Sequence, residues 1–284
     1  MKYSVITLIV ALSFILSGCG SVPITGRKQM LLVSDQEVLT LSLQQYDEFI
    51  KTAPLSTDKA NTALVVKVGK NIAAAVETYM RANGYESELA SYSWEFHLVK
   101  STDVNAFCMP GGKIVVYEGI LPVTRDETGL AVVLGHEVAH AVAKHSNERM
   151  SQQVAAQYGG AALGAVLSGT SSTVQNLAGA VYGLGAEYGV MLPYSRKQEL
   201  EADKLGLIFM AMAGYNPSFA KGFWERMSQA SGGGVPEFMS THPSDATRIN
   251  QIDKDLSDAL KYYKGGNTKT SNSSGSKTSD KWSF

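Results

Sequence analysis

Cysteine is scarce in this chain: 284 residues include two. That excludes a disulfide scaffold or a four-thiolate zinc site, so any metal has to be held by imidazole and carboxylate. Net charge is missing as well, with 25 Lys and Arg against 26 Asp and Glu. Proteins that track nucleic-acid phosphates need clustered basic side chains, so no nucleic-acid partner is expected. Nor does any uninterrupted apolar run reach the ~20 residues that a spanning helix requires. What the chain has is apolar side chain, 44% of residues against 18% charged, enough to bury a sizeable core. Its five histidines are the natural starting point for chemistry.

Residues 1–18 read as a leader. Lys2 supplies a positive start, Tyr3 to Leu16 is uncharged and largely apolar, and Leu16-Ser17-Gly18-Cys19 follows. The run suits the apolar part of a signal peptide better than a membrane span. It resembles a bacterial lipobox, which implies that Cys19 is lipidated and becomes the first residue of the mature protein. Gly20 and Ser21 carry no acidic retention signal, and the resemblance then implies the periplasmic face of the outer membrane. Cys108 is left without a partner and reads as a small buried hydrophobe.

After a linker at 19–34, a catalytic domain is expected over 35–264. Helices are expected from Ser34-Asp35-Gln36-Glu37 onward and from about Asp58 to Arg81, the second stopping near Asn83-Gly84. Short strands follow at 92–99, 106–109 and 114–117, the last two joined by Pro110-Gly111-Gly112. A helix is expected from Glu127 to about Met150, and others at 195–213, 217–229 and 244 to about 263. Residues 150–186 are uncharged and rich in small side chains, either closely packed helices with a flexible loop between them or a mobile lid over an active site or membrane-touching segment. Residues 265–284 are polar and expected to be disordered.

His136-Glu137-Val138-Ala139-His140 lies inside the helix that starts at Glu127. At 3.6 residues per turn, His136 and His140 share a face and both can reach one cation. Glu137 is offset by about 100°, beside the metal and in reach of a water as general base. This is the H-E-x-x-H pattern of zinc proteases. The helix around it is apolar on several sides, and polar groups on a buried helix are costly unless paired or coordinating.

A hydrolytic zinc site needs a third protein ligand and an open position. The stretch Ser195 to Asp203 offers Glu199 and Glu201, about 200° apart on a helix, so only one can face the histidines. Glu199 shares its face with Asp203, which is placed to orient a ligating imidazole. Glu201 has no such partner in the sequence. His145, about 180° from His136 on a regular helix, cannot join the site and reads as a surface or supporting residue. His97 has no motif.

H-E-x-x-H followed by S-R-x-x-E-x-x-A-D resembles the zinc metallopeptidase family of HtpX and the CAAX prenyl protease, in its periplasmic lipoprotein branch. The resemblance implies one zinc per chain, held by His136, His140 and Glu199. It also covers Pro23 to Gln29, similar to that branch's pro-region. Asn105 and Ala106 are similar to the edge strand on which such proteases lay an extended substrate. Thr241-His242-Pro243 with Arg248 resembles the family's late His and Arg, which implies oxyanion stabilisation by His242 or Arg248, or obstruction of the zinc by His242. The implied architecture is α+β, a mainly helical zincin-like domain with a small sheet beside the zinc cleft. The implied activity is endopeptidase cleavage of unfolded or outer-membrane polypeptides with Glu137 as base. Two rivals stay open: a chaperone or assembly factor for outer-membrane proteins with proteolysis held latent, and a binding lipoprotein with a structural zinc.

Overall fold

The computed structural model describes residues 19–155, 195–229, 237–243 and 246–265. The expected leader, most of the small-residue segment and the polar tail lie outside the described residues.

Residues 19–34, expected as a linker, hold an antiparallel hairpin of β1 (Cys19–Ser21) and β2 (Lys28–Met30). At its tip Ile24 and Gly26 take positive φ, and Val22 is fully buried in the core of the domain. Two amphipathic helices follow, α1 (Asp35–Thr52) and α2 (Lys59–Ala82). Each starts where a side chain meets an otherwise unpaired backbone N–H: Ser34 accepts from Glu37, and Asp58 from Asn61. α2 ends at Asn83, with Gly84 in the left-handed region, as the sequence leads one to expect. A short helix, α3 (Glu86–Leu89), leads into the sheet.

That sheet has the order β3-β5-β4, with β3 (Glu95–Val99) parallel to β5 (Lys113–Tyr117) and β4 (Ala106–Met109) antiparallel to it. Gly111 and Gly112, both at positive φ, make the turn between β4 and β5. β4 is an edge strand among the described residues. A short α4 (Leu121–Thr124) then leads to α5 (Glu127–Val142), capped by Asp126, whose side chain accepts from the Gly129 N–H. Every residue of α5 from Gly129 to Val142 is buried. The helix is covered by β4, α2, α7 (Arg196–Met212) and α8 (Ala220–Gln229).

α5 ends earlier than its periodicity suggests. Ala143 caps it, Lys144 takes φ +55°, and helix resumes over residues 145–155 as α6. A non-glycine residue in this region costs on the order of 1–3 kcal/mol. Here the Lys144 ammonium is held 2.8 Å from both Asp35 and Glu88, which fixes the bend. After α8 come α9 (Glu237–Thr241) and α10 (Ala246–Leu260). The fold is thus α+β and mainly helical, with a small sheet beside α5.

Candidate metal centre and active site

α5 and α7 cross at Gly135 and Gly206. A Cβ on Gly135 would lie 2.8 Å from the Gly206 carbonyl oxygen, and one on Gly206 would lie 2.9 Å from the His136 backbone nitrogen. Only two glycines permit so close a crossing. It brings His136 and His140 of α5 against Glu199 and Asp203 of α7. α7 begins with a capping box, Ser195 and Gln198 bonding reciprocally, which fixes the turn carrying Glu199.

His136 Nε2 and His140 Nε2 are 3.0 Å apart, and the Glu199 carboxylate is 3.4 Å from each. His242, just after α9, joins them: its Nδ1 lies 3.2 Å from His136 Nε2 and 3.1 Å from Glu199 Oε1. These four residues are buried and could hold a metal ion. The donor chemistry fits zinc. Four nitrogen and oxygen donors around a tetrahedral zinc, bonded at about 2.1 Å, would lie about 3.4 Å from one another. Imidazole lone pairs 3.0 Å apart repel unless a cation or proton lies between them.

Each α5 histidine is backed at its other nitrogen. His136 Nδ1 donates to Asp203 Oδ1 at 3.0 Å, as the shared face of Glu199 and Asp203 predicts. His140 Nδ1 meets His145 Nδ1 at 2.9 Å, and His145 Nε2 donates to Glu201 at 3.0 Å. One expectation is corrected here, the regular helix that kept His145 away from the site. Of the two readings, surface or supporting, the second is the one seen for His145: the break at Lys144 turns it back over His140, where it is completely buried. Glu201 also has partners, His145 on α6 and Arg27 and Thr25 on the N-terminal hairpin. Burial would raise the Glu201 carboxyl, but these partners outweigh it and hold it at about 2. His145 is lowered by its burial, against the pull of Glu201, so it stays neutral near pH 7. The signal that could have found this pair is a second carboxylate on the opposite face of α7 together with a histidine just past the metal helix.

Arg248 lies on α10, against the same carboxylates. Arg248 is 1% exposed, and its guanidinium lies 3.8 Å above the Trp224 ring, grips both oxygens of Asp203 and sits 2.7 Å from Glu199 Oε2. It also donates to the His242 carbonyl at 3.2 Å. It neutralises the carboxylates and ties down the His242 backbone, and it contributes most to holding Glu199 well below the ordinary carboxylate range against the effect of burial.

Glu137 lies on the sheet side of α5. Burial pushes its carboxyl up to about 7, although the Cys108 backbone N–H on β4 donates to it. Its Oε1 has no hydrogen-bond partner among the described residues, and His242 Nε2 is 3.5 Å away. Asn105 and Ala106 lie at the start of edge strand β4, which packs against α5. Cys108 is buried and unpaired, and burial pushes its thiol up. His97 lies on β3 beside Glu95 and Tyr46, outside this cluster.

The model of peptidase family M48 matches residues 67–256, a stretch that holds the α5 and α7 motifs, His242 and Arg248. The chain belongs to peptidase family M48. Its M48 domain is accordingly that of a zinc metallopeptidase. Among curated proteins the chain is 31% identical over 250 residues to the mitochondrial metalloendopeptidase OMA1 of Saccharomyces cerevisiae, covering 85% of this chain and 70% of that protein. It is 40% identical over 175 residues to the protein of the same name in Schizosaccharomyces pombe, 61% of this chain and 50% of the relative. It is 28% identical over 204 residues to the beta-barrel assembly-enhancing protease of Yersinia pestis, 70% of this chain and 40% of the relative. This M48 chain thus spans about half the length of the fission-yeast relative. Among the described residues, no helix is long and apolar enough to cross a membrane.

Proposed function

We propose that this protein is a zinc metalloendopeptidase of the cell envelope, anchored by a lipid on Cys19, that cuts internal peptide bonds of unfolded or misassembled proteins. The observation that carries the catalytic part is the Glu137 carboxylate. It is buried beside the ligand cluster, has one oxygen without a hydrogen bond among the described residues, and reaches the backbone of edge strand β4. Zinc on His136, His140 and Glu199 supplies Lewis acidity toward a scissile carbonyl and toward water. Glu137 takes the proton from the attacking water and returns it to the departing amine. An extended substrate adds to the edge strand at Asn105 and Ala106 through main-chain hydrogen bonds, which select little for side chain and so suit an unfolded polypeptide. Asp203 holds His136, and Arg248 holds Asp203 and Glu199, as positioning residues.

The envelope setting is supported by the leader-like residues 1–18 and by the likeness to a protein named for β-barrel assembly. A second reading, an assembly factor with proteolysis held latent, is favoured by one observation: His242 stands among the ligands as a fourth donor. Glu137→Gln tests the catalytic part. It is expected to keep zinc and fold while casein cleavage falls by at least about a hundredfold, the scale of general-base catalysis. Casein cleavage at the parental rate would overturn it. For the anchor, labelled palmitate is expected to enter the parent and not Cys19→Ala. Equal labelling of the two would remove the lipid from the proposal.

A further inference from the structure

We propose that the N-terminal hairpin is a working part of the metal centre, with Arg27, acting through Glu201 and His145, fixing the ring orientation and tautomer of His140. The inference rests on His140 being a ligand. If its Nε2 faces the metal, its Nδ1 carries the proton and must donate. The acceptor at 2.9 Å is His145 Nδ1, so His145 carries its own proton on Nε2 and donates to Glu201 Oε2 at 3.0 Å. The hydrogen bonds therefore run in one direction, from ligand to carboxylate.

Glu201 ends the relay, and the hairpin keeps it in place. Arg27 Nε donates to Glu201 Oε2 at 2.6 Å, and the Thr25 hydroxyl donates to Oε1. The remaining nitrogens of Arg27 make a bidentate pair with Glu148 of α6, both at 2.7 Å. Glu148 is itself held by Gln198 Nε2 at 2.9 Å, from the residue preceding Glu199. Arg27 and Thr25 together fix the angle of the Glu201 side chain, which is 5% exposed. A charged group so enclosed needs a partner of opposite sign.

His136 is held by a shorter version of the same device, since Asp203 accepts its Nδ1–H and Arg248 grips Asp203. α7 supplies both carboxylates from opposite faces. Each of the two α5 imidazoles is thus backed, directly or through His145, by a carboxylate closed with an arginine, one arginine from α10 and the other from the hairpin. A hairpin that served only as a tether would need the Arg27–Glu148 pair alone. The link to His145 is what such a tether does not require.

The test uses the full chain and two readings other than catalysis: zinc affinity by competition with a chromophoric chelator, and the visible absorption bands of the cobalt(II)-loaded protein. His145→Leu is expected to weaken zinc about 10- to 100-fold, the usual cost of losing such support, and to shift the cobalt bands. Arg27→Ala should move both readings in the same direction, with Arg27→Lys recovering most of the loss because it returns a charge to Glu201. Should Arg27→Ala fail to fold, Thr25→Val removes one donor to Glu201 and should weaken zinc by a smaller factor. His140→Ala is the control for the ligand reading itself. If it keeps zinc, the reading beneath this inference falls. If it loses zinc while folded His145→Leu, Arg27→Ala and Thr25→Val keep parental affinity and bands, this inference alone is overturned.

Discussion

His242 shows how a single side chain can set the state of a site. Its imidazole stacks on Phe238 at a ring separation of 4.6 Å, its backbone carbonyl accepts from Arg248, and its Nδ1 sits in the ligand cluster. A hydrolytic zinc keeps one position open. An imidazole that took that position would compete with water and substrate, which is the basis of the latent reading proposed above. His242→Ala is therefore expected to raise casein cleavage several-fold without loss of zinc, measured as turnover per bound zinc. A fall in turnover would instead assign His242 to oxyanion stabilisation. The H-E-x-x-H spacing exposed the pair His136 and His140 because both lie on one regular helix. His242 was reachable only through resemblance, since it comes from a separate segment and no local periodicity connects it to α5.

At the scale of elements, the site depends on how closely α5 and α7 approach. In Gly206→Ala the new Cβ meets the backbone of Gly135 and His136 at 2.9–3.1 Å, and backbone cannot swing aside. Overpacking of this kind costs roughly 1–3 kcal/mol. The same displacement moves Glu199 away from the histidines. Gly206→Ala is expected to lower Tm and to weaken zinc about tenfold or more, read by thermal unfolding and chelator competition. Gly222→Ala in α8 is the contrasting case, since its Cβ would find only the Arg226 side chain, at 3.6 Å. It should stabilise by about 0.5–1 kcal/mol, the ordinary gain of alanine over glycine in a helix. The caps, the α2 stop and the β4–β5 turn were legible because capping side chains and glycines mark them locally. The end of α5 was not: Ala143-Lys144 contains no glycine, proline or asparagine, and the bend is held by Asp35 and Glu88 from distant segments. The regular-helix assumption therefore put His145 on the wrong side, and Glu201 lost its partner with it. The hairpin at 19–30 was hidden for a similar reason, since its role lies in what Arg27 touches and not in a strand pattern of its own.

Taken as a whole, the molecule gathers its charges from four separate stretches, the hairpin, α5 with α6, α7, and the segment from α9 to α10. His136, His140, Glu199 and His242 are all nearly inaccessible to solvent. Of the cations near them, Arg248 is already engaged with Asp203 and Glu199. Buried carboxylates and imidazoles without a cation oppose folding, so a metal that binds only the folded chain must stabilise it. With free zinc a thousandfold above Kd the gain is about 4 kcal/mol, and a chain of this size shifts Tm by roughly 2–4 °C per kcal/mol. Removal of zinc with a chelator is therefore expected to lower Tm by about 10 °C. Glu137→Gln should show the same drop, because Glu137 stands beside the ligand set and not within it. His140→Ala should start lower and respond little to chelator, having lost most of the affinity that the chelator would abolish. A parent chain that melts at one temperature with and without chelator would mean that no ion links α5 to α7, and that helix packing with the contacts of Asp203 and Arg248 holds these buried charges together.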